Sequence, residues 1–229
     1  MPTLAETLAA GADELGEFNA LFQQYLDALA TLSLGAVYFT FWVDTVTGDN
    51  TNDGLTPGTP LQTIGAAVAK ARPGSHVVIY LLSNYTMDAD ISASGRVVRI
   101  LGLNASSVLT QRNFIQTQLA GTARKLVCDN GGAFFLSNLD IYLTKSVVSS
   151  GSPALCQGVM KKLFMNACGV DVETGVTTGR IMASNGISIL ETSAITALDD
   201  TIAGHWIEGV AAATNPNTLG KVVTNLATL

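Results

Sequence analysis

Trp42-Val43-Asp44-Thr45-Val46-Thr47-Gly48-Asp49-Asn50-Thr51-Asn52-Asp53-Gly54-Leu55-Thr56-Pro57-Gly58-Thr59-Pro60-Leu61-Gln62-Thr63-Ile64-Gly65-Ala66-Ala67-Val68-Ala69 changes character twice along its length. Its first residues finish the run Val37–Val43, β-branched and aromatic throughout, which predicts a strand. Gly48 to Pro60 is dense in glycine, asparagine, aspartate and proline, which predicts a loop. From Leu61 the spacing becomes helical: Leu61, Ile64, Val68 and Ala71 share one face. Pro60 is placed for the first helical turn, where a missing N–H costs little. Arg72-Pro73-Gly74 stops the helix and turns the chain.

Beyond His76 the chain becomes a succession of short apolar runs between polar or glycine-bearing turns. Strands are predicted at Val77–Leu82, Val97–Leu101, Lys125–Cys128, Phe134–Leu136, Leu139–Leu143, Leu163–Met165, Val170–Val172, Arg180–Ala183, Ile187–Leu190 and Trp206–Val210. Several recur at a spacing of roughly 20–30 residues, as solenoid repeats do. Helix-period segments are few after residue 72, which argues against a βαβ fold. Near-continuous apolar strands suit parallel sheets buried on both faces.

The order of aromatic strand, polar turns and short helix over residues 42–69 resembles the opening of a right-handed parallel β-helix of the pectate-lyase-like superfamily. That kind of fold occurs in phage tailspikes, tail fibres and virion spikes, and in polysaccharide-processing enzymes. The resemblance covers about residues 38–90 as a motif and the rest as a strand rhythm. It implies a mainly β fold: a right-handed parallel β-helix with an N-terminal, coiled-coil-like α-helix and a short capping helix. The implied division is 1–34 for the N-terminal helix, 35–76 for the strand, loop and cap, 77–210 for the rungs, and 211–229 for a C-terminal cap or a segment crossing to another subunit.

The N-terminal helix is read from heptads. Leu15, Phe18, Phe22, Tyr25, Leu29 and Leu32 alternate spacings of three and four, and the register runs back through Gly11, Leu8 and Leu4. Leu21 and Leu26 widen the stripe, which suits three helices or a helix lying on another protein. These six residues are the candidate oligomerisation and docking set, and Ser33-Leu34-Gly35 supplies the helix end.

Composition points the same way. Hydrophobic residues make up 48% of the 229 and charged ones 13%, too few to cover a lone subunit easily. A homotrimer is therefore expected, docked on other virion proteins through its first helix. No Lys or Arg precedes Lys70, while eight acidic residues do, so phosphate would be repelled and nucleic acid is not an expected partner. The apolar stretch Ala28–Val43 is too short and too interrupted for a bilayer span, so no membrane insertion is expected. A secretory signal is not read in the acidic N-terminus, and synthesis in the host cytoplasm followed by residence in the virion is the expectation. Cys128, Cys156 and Cys168 lack paired metal spacing and read as small core residues.

Candidates for chemistry are thin. Asp171 and Glu173 alternate and would share one strand face at about 6–7 Å, a separation compatible with glycoside hydrolysis. Asp88 and Asp90 repeat that spacing, and Asp199-Asp200 reads as a turn. Asp44, Asp49 and Asp53 with Asn50 and Asn52 match a calcium loop in composition only, since Thr51 and Pro60 occupy ligand positions. His76 and His205 read as structural, and Lys161-Lys162 and Arg124-Lys125 as solvated turns. Aromatic residues within the strands, among them Tyr80, Phe135, Tyr142 and Phe164, read as core stacks. No metal or cofactor is expected. The expected function is a structural virion protein of a phage-like particle, non-enzymatic, with a host surface glycan as a further partner. The alternative is a polysaccharide lyase or glycoside hydrolase using Asp171 and Glu173.

Overall fold

Alternation of inward apolar and outward mixed side chains organises the longer strands: in His76–Leu81, Val77, Ile79 and Leu81 are buried and their neighbours partly exposed. The computed structural model describes residues 38–229 apart from 105, 120–121, 144–153, 173–179, 198–204 and 228. Apart from Tyr38 these form one unit, Phe39–Leu229. The six heptad residues and Glu173 lie outside the described residues, as do Asp199 and Asp200.

After β1 (Tyr38–Val43) and α1 (Ile64–Lys70), the chain makes a series of similar passes. The first contains β2 (His76–Leu81), β3 (Tyr85–Thr86) and β4 (Ile91–Ser92). The second contains β5 (Val97–Gly102), β6 (Arg112–Ile115), a hairpin of β7 (Gln118–Leu119) and β8 (Thr122–Ala123), and β9 (Leu126–Val127). Next come β10 (Ala133–Ser137), β11 (Leu139–Leu143) and β12 (Ala154–Gln157), then β13 (Met160–Asn166), β14 (Gly169–Val172) and β15 (Arg180–Met182). The last are β16 (Ile187–Ser193), β17 (Thr196–Ala197) and β18 (Val222–Thr224).

The result is mainly β, with parallel sheets. Three sheets are visited in rotation: β1-β2-β5-β10-β13-β16-β18, β3-β6-β11-β14-β17 and β4-β9-β12-β15. From β2 onward their pairings are parallel. Only the β7–β8 hairpin pairs antiparallel among the described strands.

In-register pairing turns the buried positions into ladders. On the first sheet Val77, Val98, Phe134, Leu163 and Leu190 follow one another, beside Ile79, Ile100, Leu136 and Met165. Tyr85, Phe114, Ile141 and Val170 form the ladder of the second sheet, and Ile91, Leu126, Cys156 and Met182 that of the third. Each side chain so enclosed contributes about 1.5–3 kcal/mol of apolar transfer.

The loop before α1 is held by its own polar side chains. Asp44, Asp49 and Asp53 accept from the backbone N–H groups of Val46, Thr51 and Leu55 at 3.0, 2.8 and 3.1 Å. Asn50 Oδ1 accepts from the N–H groups of Gln62 and Thr63. The helix is shorter than its sequence spacing predicts. Thr63 caps it by accepting from Ala66 N–H at 3.2 Å, so Pro60 lies before the helix rather than in its first turn, its carbonyl bound instead by Asp49 N–H and Asn52 Nδ2. Ile64, Ala67 and Val68 are buried in the common core. Arg96 fastens the other end, its Nη2 donating to the Ala71 carbonyl at 2.8 Å.

Between the first and second sheets the chain turns on a single left-handed residue at the same place in successive passes: Asn138, Ala167 and Ala194, with φ of 54°, 50° and 52°. Between the third and first sheets the corner is tight enough to need glycine. A Cβ on Gly186, where φ is +71°, would lie 2.1 Å from the Val159 carbonyl oxygen. This corner overturns the reading of Lys161-Lys162 as a solvated turn. Both lie in β13, and Lys161 is fully buried, its Nζ donating to the carbonyls of Gly158 (3.3 Å) and Asn185. At the C-terminal side, Trp206–Val210 is not a strand; Ile207 makes one isolated parallel bridge to Met182. Residues 211–229 carry a short 3-10 turn at Pro216–Thr218, then β18, and end with Leu229 buried.

All three cysteines are free and buried. Burial pushes the Cys168 thiol up to about 11 from an ordinary value of 9.0. A thiol that ionises later in the folded chain than in the unfolded one contributes stability below the unfolded value and loses it as pH rises. Stability is therefore expected to fall between pH 9 and about 11, and the slope to flatten in Cys168→Ala. Urea midpoints at pH 8, 9.5 and 11 read this out, and an unchanged slope in the variant would refute it.

Candidate functional site

Parallel register also lines up the outward residues. On the first sheet Arg99 pairs with Phe135, Phe135 with Phe164, and Phe164 with Glu191. The two phenyl rings stack with centroids 4.2 Å apart and planes 6° from parallel. Arg99 carries its guanidinium 5.5 Å from the Phe135 centroid, which places a cation at one edge of the stack. Glu191 is exposed at the other edge.

The next outward row, Ser137, Asn166 and Ser193, is polar. Asn225 adds an amide that is fixed on Thr192, accepting from its N–H at 2.9 Å and donating to its carbonyl at 2.6 Å. Together these side chains line a shallow cleft of about 480 Å³, within the range of small-ligand sites. Toward the start of the sheet, Trp42 and Tyr80 form a second outward aromatic pair, 4.8 Å between centroids and tilted by 52°.

The outward rings correct the expectation that strand aromatics are core stacks. Tyr85, Phe114 and Phe134 are buried, but Tyr80, Phe135, Tyr142 and Phe164 face outward. A flat apolar surface between a guanidinium and a carboxylate, with amide and hydroxyl groups alongside, suits a ring-shaped, hydroxylated ligand. Its C–H face would rest on the phenyl rings and its hydroxyls would meet the polar edges.

Sequence reasoning missed this cleft. Its members come from four successive strands, β5, β10, β13 and β16, and from Asn225 just beyond β18, and only the observed register unites them. An available signal was the recurrence of Phe at 134–135 and at 164, about one pass apart.

Asp171 is not in the cleft. It sits outward on β14 opposite Tyr142, which shares the outward face of β11 with Asp140, two residues earlier. Partial burial first, and then the carboxylates of Asp140 and Asp171, push the Tyr142 hydroxyl upward. Asp88 accepts from the Tyr85 hydroxyl at 3.4 Å, and Asp90 meets Lys125 Nζ at 3.9 Å, so that pair serves local structure.

The calcium-like loop is likewise turn-forming. Asp49 is lowered below its ordinary value by Thr51, through the backbone and then the hydroxyl, and Asp53 by Leu55 N–H and the Thr59 hydroxyl. His205 accepts at Nδ1 from Arg180 Nη1 at 3.0 Å. Among the described residues no three His, Cys, Asp or Glu side chains gather as a metal ligand set, and no helix is long and apolar enough to cross a membrane. No family model, curated protein or solved structure matches this chain.

Proposed function

We propose that this chain is a structural component of a phage-like particle that presents a saccharide-binding face to a host surface glycan. In this reading the three sheets wind as a right-handed parallel β-helix of the pectate-lyase-like kind. The short helix α1 closes its first end. Residues 1–34 form a helix whose stripe, Leu15, Phe18, Phe22, Tyr25, Leu29 and Leu32, gathers three copies and docks them on other virion proteins. Triplication would raise the avidity of a weak single site without any new contact.

The observation that carries the binding role is the Phe135–Phe164 stack between Arg99 and Glu191, displayed on a seven-stranded sheet. A rigid sheet spares the ligand-binding groups most of the ordering cost of association. The test is titration of the purified protein with oligosaccharides released from bacterial capsule and lipopolysaccharide. Phe164→Ala is expected to weaken binding about 10–100-fold, the usual loss for a central aromatic anchor. Equal affinity of Phe164→Ala and wild type would refute the binding face. A monomer by sedimentation, with residues 1–34 intact, would refute the trimer.

A second reading, a polysaccharide lyase or glycoside hydrolase, draws on the second sheet. Asp140 and Asp171 stand outward on adjacent strands, two residues out of register, about 8 Å apart by strand geometry. Release of reducing ends from capsule that vanishes in Asp171→Asn would favour it over the binding role.

A further inference from the structure

Cys128 directly follows β9 and Cys156 lies in β12 opposite Leu126, so the two cysteines of consecutive passes, 28 residues apart in sequence, are two residues out of register, and their sulfur atoms lie 3.4 Å apart inside the core. Both side chains are closed to solvent, at 1% and 0% exposure. The ladders of this third sheet are short: two registered pairs join β9 to β12, and two join β12 to β15. The Cys128 N–H donates to the Gln157 carbonyl at 2.8 Å, and a Cβ on Gly158 would lie 2.4 Å from the Cys128 carbonyl oxygen. Buried Lys161 follows on the next strand, its ammonium near enough to favour thiolate at both cysteines. The Cys128 thiol also donates to the Lys162 carbonyl at 3.7 Å, while Cys168 lies elsewhere in the core and hydrogen-bonds the carbonyls of Leu136 and Asn166.

We propose that Cys128 and Cys156 are an oxidisable dithiol that closes to a disulfide across the third sheet when the protein meets a peroxide. Cys128 reacts first. The hydrogen bond from Cys156 holds it below the usual thiol range, whereas that same bond and burial hold Cys156 above it. The Cys128 thiolate attacks one peroxide oxygen, the O–O bond breaks, and hydroxide leaves and takes up a proton as water. Cys128 is then a sulfenic acid, oxidised by two electrons. The Cys156 sulfur attacks the Cys128 sulfur, the S–O bond breaks, and a second water leaves with the Cys156 proton.

Bond formation brings the sulfurs from 3.4 Å to about 2.05 Å, and because the two cysteines are two residues out of register it draws the two passes toward each other. The product links two successive passes whose backbone ladder here has two registered pairs. It supplies a covalent staple once the chain has left a reducing compartment.

The experiment treats the full chain, purified reduced, with hydrogen peroxide, and reads intact mass and a non-reducing peptide map. Expected are loss of both thiol hydrogens, one Cys128–Cys156 peptide pair within a single chain, and Cys168 still alkylatable after denaturation. The melting temperature is expected to rise by about 10 °C for a loop of this length, and reductant to reverse the rise. In Cys156→Ala a dimedone-reactive sulfenic acid is expected to accumulate on Cys128. Cys156→Ser serves the same purpose should the alanine variant fail to fold. Full recovery of the Cys128 and Cys156 thiols, oxidation of Cys168 in their place, or links only between chains would overturn the proposal. None of these outcomes depends on ligand binding, so glycan binding and the dithiol stand or fall separately.

Discussion

Phe134→Ala is expected to destabilise the protein by about 3–5 kcal/mol, the range for emptying a phenyl-sized volume in a packed core. Phe134 has no exposed surface and sits between Val98 and Leu163 in the longest inward ladder of the first sheet. Those neighbours are fixed by strand pairing on both sides and have little freedom to collapse into the gap. The melting temperature should fall by about 10 °C at this chain length.

The adjacent residue supplies the control. Phe135 has the same side chain but points outward, so Phe135→Ala should cost under about 1 kcal/mol, since its ring loses one stacking partner and little burial. It should instead weaken saccharide binding. Chemical denaturation and ligand titration of the two variants separate the faces. A stability loss of equal size at positions 134 and 135 would contradict the alternation on which both the core and the cleft rest.

Much of this alternation was legible in the sequence. Leu139–Leu143 was bounded as the structure has it, and Val97–Leu101 missed a single terminal residue. Apart from Arg99 and Asp140, both are runs of β-branched or large apolar residues. Arg112–Ile115 and Ala154–Gln157 were not read as strands. The first begins with two polar residues and the second has low strand propensity, so parallel neighbours on both sides, rather than local preference, hold them extended. The corners were equally opaque. Ala167 and Ala194 adopt left-handed backbone without glycine or asparagine to announce it; the stacked pass imposes that conformation. The cleft escaped for a different reason: register determines which outward residues become neighbours, and a slip of one residue would exchange core and surface.

Lys161→Met is the second change with a large expected effect, about 3 kcal/mol of lost stability. Lysine next to lysine reads as solvent-facing, but β13 begins at Met160 and alternation puts Lys161 inward at the corner. There the aliphatic stem occupies core space and the ammonium donates to carbonyls of two successive turns, Gly158 and Asn185. Methionine keeps most of the volume but has no donor, so two carbonyls lose a charge-assisted partner worth about 1.5–3 kcal/mol each. The gain from no longer burying a charge offsets part of that loss. Lys161→Ala should cost more than the methionine variant, since it adds a cavity.

The order of the two variants matters more than either number. If methionine were as stable as lysine, the stem would be the part that holds the corner and the ammonium would be incidental. If alanine were no worse than methionine, packing would be incidental and the bridging hydrogen bonds would account for the whole effect. The expected ranking, lysine above methionine above alanine in urea midpoint, requires both parts of the side chain. It would make one buried cation the link between consecutive turns of the first sheet.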